Sequence, residues 1–272
     1  MYKIIAIDAD GTLLDDTSRI PEENKAALLR AQEKGVRVAI ASGRGIPTLA
    51  GFANELGLDP ERSHIIALNG AAVFDGYKNQ IREIRMKKSL MLYILEKVLP
   101  LGMLTIVYHE ADAIYVKLPA DGDRTGYADY YRLSHVHTIF TDDFDKDINR
   151  EVYKVLVIGD GEKLRQLEMA MEPEKHRVGF EMFFSGKRLL EFTSTASTKA
   201  RALDFICRRL NIDMTAESIA IGDSFNDLCM IQSAALGVCM KNGREPVKQA
   251  ADYVTERDNN NGGVAEVVEK FI

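Results

Sequence analysis

Asp8-x-Asp10-Gly11-Thr12 sets two carboxylates two positions apart at the end of an apolar run, with a glycine and a hydroxyl directly behind them. Like charges so close repel, and each tends to hold a proton unless a cation lies between them. Three more polar clusters leave short apolar runs in the same way: Ser42-Gly43-Arg44, Asn69-Gly70, and Gly222-Asp223-Ser224-x-Asn226-Asp227. Lys199 stands just before the last of these runs, near the start of a helical segment. Asp8, Asp10 and Asp223, with Asp227 beside them, make an oxygen-rich set of the type that holds a hard divalent ion. Magnesium accepts one or two carboxylates and completes its octahedron with water and phosphate oxygens. A lysine, a serine hydroxyl and loop amides nearby suit the remaining phosphoryl oxygens. Each piece alone has a plainer reading, as an Asp-Gly turn, a serine helix cap or a solvated lysine. Their conjunction reads as a phosphoryl-transfer site.

The elements that must carry these residues are legible in outline. Residues 3–7 and 36–41 have the composition of buried strands, and residues 21–34 that of a helix with proline in its first turn and Gly35 as its stop. A helix is expected after "SGRG", running to Leu56, and "HIIALNGAAVFDG" reads as a strand and a hairpin around Asn69-Gly70. Strands alternating with helices indicate a parallel sheet covered by helices. Ligands of such sheets bind beyond the carboxyl ends of the strands, where all four clusters fall. From about Arg85 the pattern changes to strand pairs mixed with helices, including "LTIVYHEADAIYVK" with a turn at "EADA" and a hairpin turning at Ser185-Gly186. After Thr195 the opening pattern returns, with a helix over 199–210, the strand "SIAIGD", a helix over 226–233 and short strands at "LGVCM" and "DYVT". The expected fold is α/β: a Rossmann-like parallel-sheet core split in sequence into residues 1–84 and 193–272, with an α+β cap inserted at 85–192.

The order and surroundings of "DADGTLL", "ASGR", Lys199 and "GDSFND" resemble the haloacid dehalogenase-like phosphatase superfamily. "LNGAAVFD", "LEFTSTASTKARAL", "GVCMKNGREPVKQAADYVT" and "NGGVAEVVEKF" are similar to its Cof-type branch, which carries a type IIB cap. The resemblance implies a Mg2+-dependent hydrolase of phosphomonoesters of small metabolites, sugar phosphates or similar, working through an aspartyl-phosphate. It makes Asp8 the nucleophile and Asp10 the acid and then the base. Asp8 and Asp223 would bind magnesium, with Asp10 adding its main-chain carbonyl. Ser42, Lys199, Asn226 and the amides of Ala9 and Gly43 would hold phosphoryl oxygens. Thr12, Arg44 and Asp227 would support them, Asp227 by orienting Lys199 or a metal-bound water. Two rivals follow from the same resemblance: a phosphosugar mutase, and a metabolite-sensing relative without turnover.

The chain of 272 residues has a formal net charge of -6 and no block of Lys or Arg, which argues against a general nucleic-acid binder. A small phosphorylated metabolite is the partner expected. Too few apolar residues precede Asp8 for a signal segment, and no run is long enough to cross a bilayer. Cys207, Cys229 and Cys239 show no metal or redox spacing and are expected to be buried thiols in a reducing compartment. A soluble cytoplasmic protein is therefore expected. His135-x-His137 lacks a third ligand, His64 and His109 lack local partners, and all read as non-functional. Leu90, Met91, Ile94 and Leu95 form a helical stripe that belongs to the cap core. Substrate identity and oligomeric state are not encoded in any pattern of this kind.

Overall fold

β1 (Ile4–Asp8) is apolar up to its last residue and buried along its whole length, as a strand inside a parallel sheet must be. The computed structural model describes residues 1–134 and 136–272, so the pair His135-x-His137 lies partly outside the described residues. β2 (Arg37–Ala41), β3 (Ser63–Ala67), β4 (Ala72–Asp75) and β5 (Gln80–Glu83) complete the first segment. The middle of the chain supplies β6 (Leu104–Glu110), β7 (Ala113–Lys117), β8 (His137–Phe140), β9 (Lys154–Ile158), β10 (Phe180–Gly186) and β11 (Leu189–Ser194). β12 (Ser218–Gly222), β13 (Leu236–Cys239) and β14 (Tyr253–Val254) close it.

The chain divides into two units, residues 1–44, 49–83 and 198–272 in one, and 45–48 with 84–197 in the other. The first holds an eight-stranded sheet in the order β14-β13-β12-β1-β2-β3-β4-β5. Its pairs are parallel from β14 through β3, and β4 and β5 are added antiparallel. β1 lies between β12 and β2, with Ile7 opposite Ile221 and Asp8 opposite Ala41. The chain leaves β1 toward one edge and returns on its other side, and such a reversal opens a crevice at the strand ends.

The helix Lys199–Arg209 begins where the Thr198 hydroxyl accepts the Arg201 amide at 3.2 Å, and Arg208 and Arg209 face the negative end of its dipole. It lays Ala202, Leu203 and Ile206 against Ile4, Ala6, Ala39, Ile66 and Ala220 of the sheet.

The second unit has a six-stranded sheet in the order β10-β11-β9-β6-β7-β8, antiparallel except for the edge pair β7–β8. Met91, Ile94, Leu95 and Val98 of the helix Lys88–Val98 and Leu164, Leu167 and Met171 of the helix Gly161–Met171 pack with Val155, Val157, Phe180 and Phe192. Met91, Ile94, Leu95 and Val98 fall at i, i+3, i+4 and i+7, and Leu164, Leu167 and Met171 at i, i+3 and i+7, which makes one face of each helix a core face.

Several expectations need correction. The hairpin turn is at Lys187-Arg188, because Gly186 still pairs with Leu189. The segment after Asp223 starts as a tight 3-10 turn over Phe225–Asp227, and the α-helix begins only at Leu228. The second unit reaches residue 197 rather than 192, since β11 pairs in its sheet through Ser194. Cys207 and Cys239 are buried, but Cys229 is exposed on the short helix Leu228–Ser233. No described helix is long and apolar enough to cross a membrane.

Candidate active site

Asp8 ends β1 between the ends of β2 and β12, so Ser42 and Asp223 leave the sheet on either side of it. The chain then turns sharply at Gly11, whose φ of +79° is a conformation that side-chain-bearing residues rarely adopt. A Cβ there would also lie 2.9 Å from Asp223 Oδ2. Gly222 is equally constrained: its Cβ would meet the Asp227 Cβ at 2.4 Å. Two glycines thus let the β1 and β12 loops close over a small volume of carboxylates.

One oxygen from each of Asp8, Asp223 and Asp227 lies within 4.8 Å of the others. Lys199 enters this cluster from the start of its helix. Its ammonium, fully buried, donates to Asp8 Oδ1 and, at 2.6 Å, to Asp227 Oδ1. Asp227 Oδ2 accepts the amides of Asp223 and Ser224, both at 3.1 Å, and Asp223 Oδ2 accepts the Ser224 hydroxyl at 2.9 Å. Burial, followed by Asp227, pushes the Asp8 carboxyl well above its usual range, with Lys199 pulling the other way. Burial and then Asp227 raise Asp223 to about 6. Burial disfavours the Lys199 ammonium, but Asp227 and Asp8 overcome it and raise its pKa. The cluster therefore has more negative charge than its one internal cation neutralises.

Of the remaining predicted residues, Ser42, Gly43 and Asn226 gather around Asn69. Asn226 Nδ2 donates to Asn69 Oδ1 at 3.1 Å, and the Asn69 amide donates to the Ser42 carbonyl at 2.9 Å. Ser42 is buried, and its hydroxyl accepts the Arg44 amide at 3.2 Å. A Cβ on Gly43 would come within 3.1 Å of Asn69 Nδ2, so the loop passes close to this carboxamide. Arg44 grips the Asp10 carboxylate at two points, Nε to Oδ2 at 2.9 Å and Nη2 to Oδ1 at 2.5 Å. Asp10 itself is 55% exposed, unlike Asp8. Ala9 is buried, and its carbonyl accepts the amides of Thr12 and Leu14. Thr12 is buried, and its hydroxyl has no hydrogen-bond partner.

Asn69 and Ser224 belong to polar clusters that the sequence places at the strand ends, but their types alone assign them no role there. Asn69 sits at the turn expected from Asn69-Gly70, and its φ of 56° lies in the left-handed region that asparagine tolerates. That conformation turns its side chain to two other loops, a pairing with no local spacing signature.

The donor set fits a hard divalent ion. Asp223 Oδ1 is buried and has no hydrogen-bond partner, and burial first, then the Asp227 carboxylate, raises the pKa values of Asp8 and Asp223. Asp227 already spends both oxygens on Lys199 and two amides, so Asp8 and Asp223 are the better ligands.

The chain is similar to known proteins along nearly its whole length. The sequence profile of haloacid dehalogenase-like hydrolases matches residues 5–268. The 5-amino-6-(5-phospho-D-ribitylamino)uracil phosphatase YcsE of Bacillus subtilis (strain 168) is 29% identical over 271 residues, spanning 99% of this chain and 96% of its own. A haloacid dehalogenase-like hydrolase from Bacteroides thetaiotaomicron superposes with a TM-score of 0.85 at 31% identity, covering all of both chains. The HAD subclass IIB sugar phosphatase BT4131 gives 0.81 at 26% identity, over 99% of this chain and 98% of its own.

Proposed function

Because the chain belongs to the haloacid dehalogenase-like hydrolase family, we propose that it is a Mg2+-dependent phosphatase that cleaves phosphomonoesters of small metabolites, sugar phosphates among them. The observation that carries this reading is the placement of Asp8: a buried carboxylate at a strand end, facing Asp223 and held by Lys199. Asp8 and Asp223 would hold the ion together with the Asp10 main-chain carbonyl. When bound, the ion supplies positive charge that steadies the transferring phosphoryl group.

Asp8 attacks phosphorus, forming a bond from its carboxylate oxygen as the bond to the leaving oxygen breaks. Asp10 gives its proton to that leaving oxygen, then takes one from the water that attacks the aspartyl-phosphate and frees Asp8. Arg44 holds the ionised Asp10 carboxylate at both oxygens and so limits where it points as the base; in the acid step Asp10 carries a proton and one of these two contacts opens. Ser42, Lys199, Asn226 and the amides of Ala9 and Gly43 bind the phosphoryl oxygens, each such contact worth on the order of 3 kcal/mol in the transition state. Asp227 keeps Lys199 charged and aimed at Asp8. The names of YcsE and BT4131 support a small organic phosphate as the substrate class.

The test is phosphate release across a panel of phosphorylated metabolites, with magnesium and with a chelator, for the wild type and Asp8→Asn. Release that needs both magnesium and Asp8 supports the reading. Undiminished release by Asp8→Asn overturns it.

A further inference from the structure

The turn that follows Asp10 lies outside the sheet, so its main-chain groups must find partners elsewhere. Its amides point inward: Thr12 and Leu14 donate to the Ala9 carbonyl at 3.4 and 2.9 Å, and Leu13 donates to the Asp8 carbonyl at 3.1 Å. Three of its carbonyls are taken by asparagine side chains, one from the helix that follows the turn and two from the C-terminal part of the chain. Asn242 Nδ2 donates to Gly11 at 2.7 Å, Asn24 Nδ2 to Leu13 at 3.3 Å, and Asn259 Nδ2 to Leu14 at 3.0 Å. The opposite ends of two of these carboxamides are fixed by the C-terminal segment. Asn242 Oδ1 accepts the Asn259 amide at 3.1 Å, and Asn24 Oδ1 accepts the Ala265 amide at 3.0 Å. Asn260 adds a reciprocal pair with Asp16, accepting its amide at 3.0 Å and donating to its carboxylate at 3.1 Å.

Asparagine suits this task because one planar group both donates and accepts, and can join a carbonyl on one segment to an amide on another. Asn24 and Asn259 are buried, where an unmade bond would be costly. The turn they grip is the covalent continuation of Asp8 and Asp10.

We propose that Asn24, Asn242 and Asn259 form a clamp through which the C-terminal segment, residues 255–272, fixes the turn at 11–14 and thereby the direction in which Asp8 and Asp10 present their carboxylates. They are positioning residues and touch no reacting atom. The inference rests on the phosphatase reading above, since only there does the direction of Asp10 matter. A misplacement of about 1 Å in a reacting group can cost roughly a hundredfold in rate.

Phenyl phosphate and p-nitrophenyl phosphate separate positioning from simple stability. They are alike in shape, but phenolate is the poorer leaving group and depends more on a proton from Asp10. For Asn259→Asp, which swaps a donor for an acceptor, and for Asn242→Ala at an exposed position, kcat on phenyl phosphate falls about tenfold further than kcat on the nitrophenyl ester. KM stays within about twofold. Hydrogen exchange at the Leu13 and Leu14 amides quickens while the sheet strands keep their protection. Equal losses on both esters, or unchanged exchange at Leu13 and Leu14, overturn the clamp. A wild-type protein that releases phosphate from neither ester nor from any phosphorylated metabolite of the panel overturns the phosphatase reading instead, and the exchange measurement still decides whether the clamp holds the turn.

Discussion

Lys199 Nζ and Asp227 Oδ1 face each other at 2.6 Å with both side chains wholly shielded from solvent. The same ammonium donates to Asp8, so one cation serves two buried carboxylates. Removing one partner of a buried ionic set strands the others, at a cost of about 3–5 kcal/mol. Lys199→Ala is therefore expected to lose stability on that scale in urea denaturation and to lose turnover, with saturating magnesium restoring part of the stability. A Lys199→Ala protein as stable as the wild type without metal would show that Lys199 does not neutralise the cluster.

Asp223 gives a pH signature. Burial, then Asp227, raises it to about 6. Below that pH a proton occupies the group the metal needs, so apparent magnesium affinity should fall about tenfold or more per unit as pH drops through 6. Without metal the sign for stability is the reverse. Between an unfolded value of about 4 and the folded value of about 6, the folded protein holds the extra proton. Its contribution to stability is then present at about pH 4 and lost as pH rises through 6. Calorimetric magnesium titrations at about pH 5 and pH 7, with melting curves in chelator, check both signs. Equal affinity at the two pH values would remove Asp223 from the metal site.

Arg44 and Asp10 test geometry rather than charge. A lysine keeps the charge but cannot reproduce the two-point grip. Arg44→Lys should lower kcat by about tenfold while the urea midpoint barely moves, because an ion pair with one solvent-facing partner contributes little to stability. Asp10→Asn should lose about 10²- to 10⁴-fold, the usual range for a lost general acid–base group. Wild-type turnover in Arg44→Lys would leave the fork without a role in aiming Asp10.

The acidic cluster and its lysine were legible in the sequence because their chemistry demands particular residue types at strand ends, and buried apolar runs mark those ends. Asp8, Ser42 and Asp223 become neighbours only because β1 lies between β2 and β12, yet the alternation of strands and helices already implied such a sheet. The amide side chains left no such trace. Asn69 joins Ser42 to Asn226, and Asn242 and Asn259 reach back to Gly11 and Leu14, across separations that no local periodicity records. Short polar strands were invisible for a related reason. β5, with the sequence "QIRE", is an edge strand and carries no clear apolar alternation. Cys229 defeated the burial expectation because its type is usually buried, while its position on a one-and-a-half-turn helix faces outward.

The central claim is that Asp8 itself takes up the phosphoryl group, and it can be observed directly. The protein is mixed with magnesium and p-nitrophenyl phosphate, quenched in acid within the first turnover, digested, and analysed by mass spectrometry. The account predicts one phosphoryl group on the peptide that contains Asp8, chased away by longer incubation and missing from Asp8→Asn. A phosphoryl group on a different residue, or turnover with no labelled peptide at any time, would contradict it.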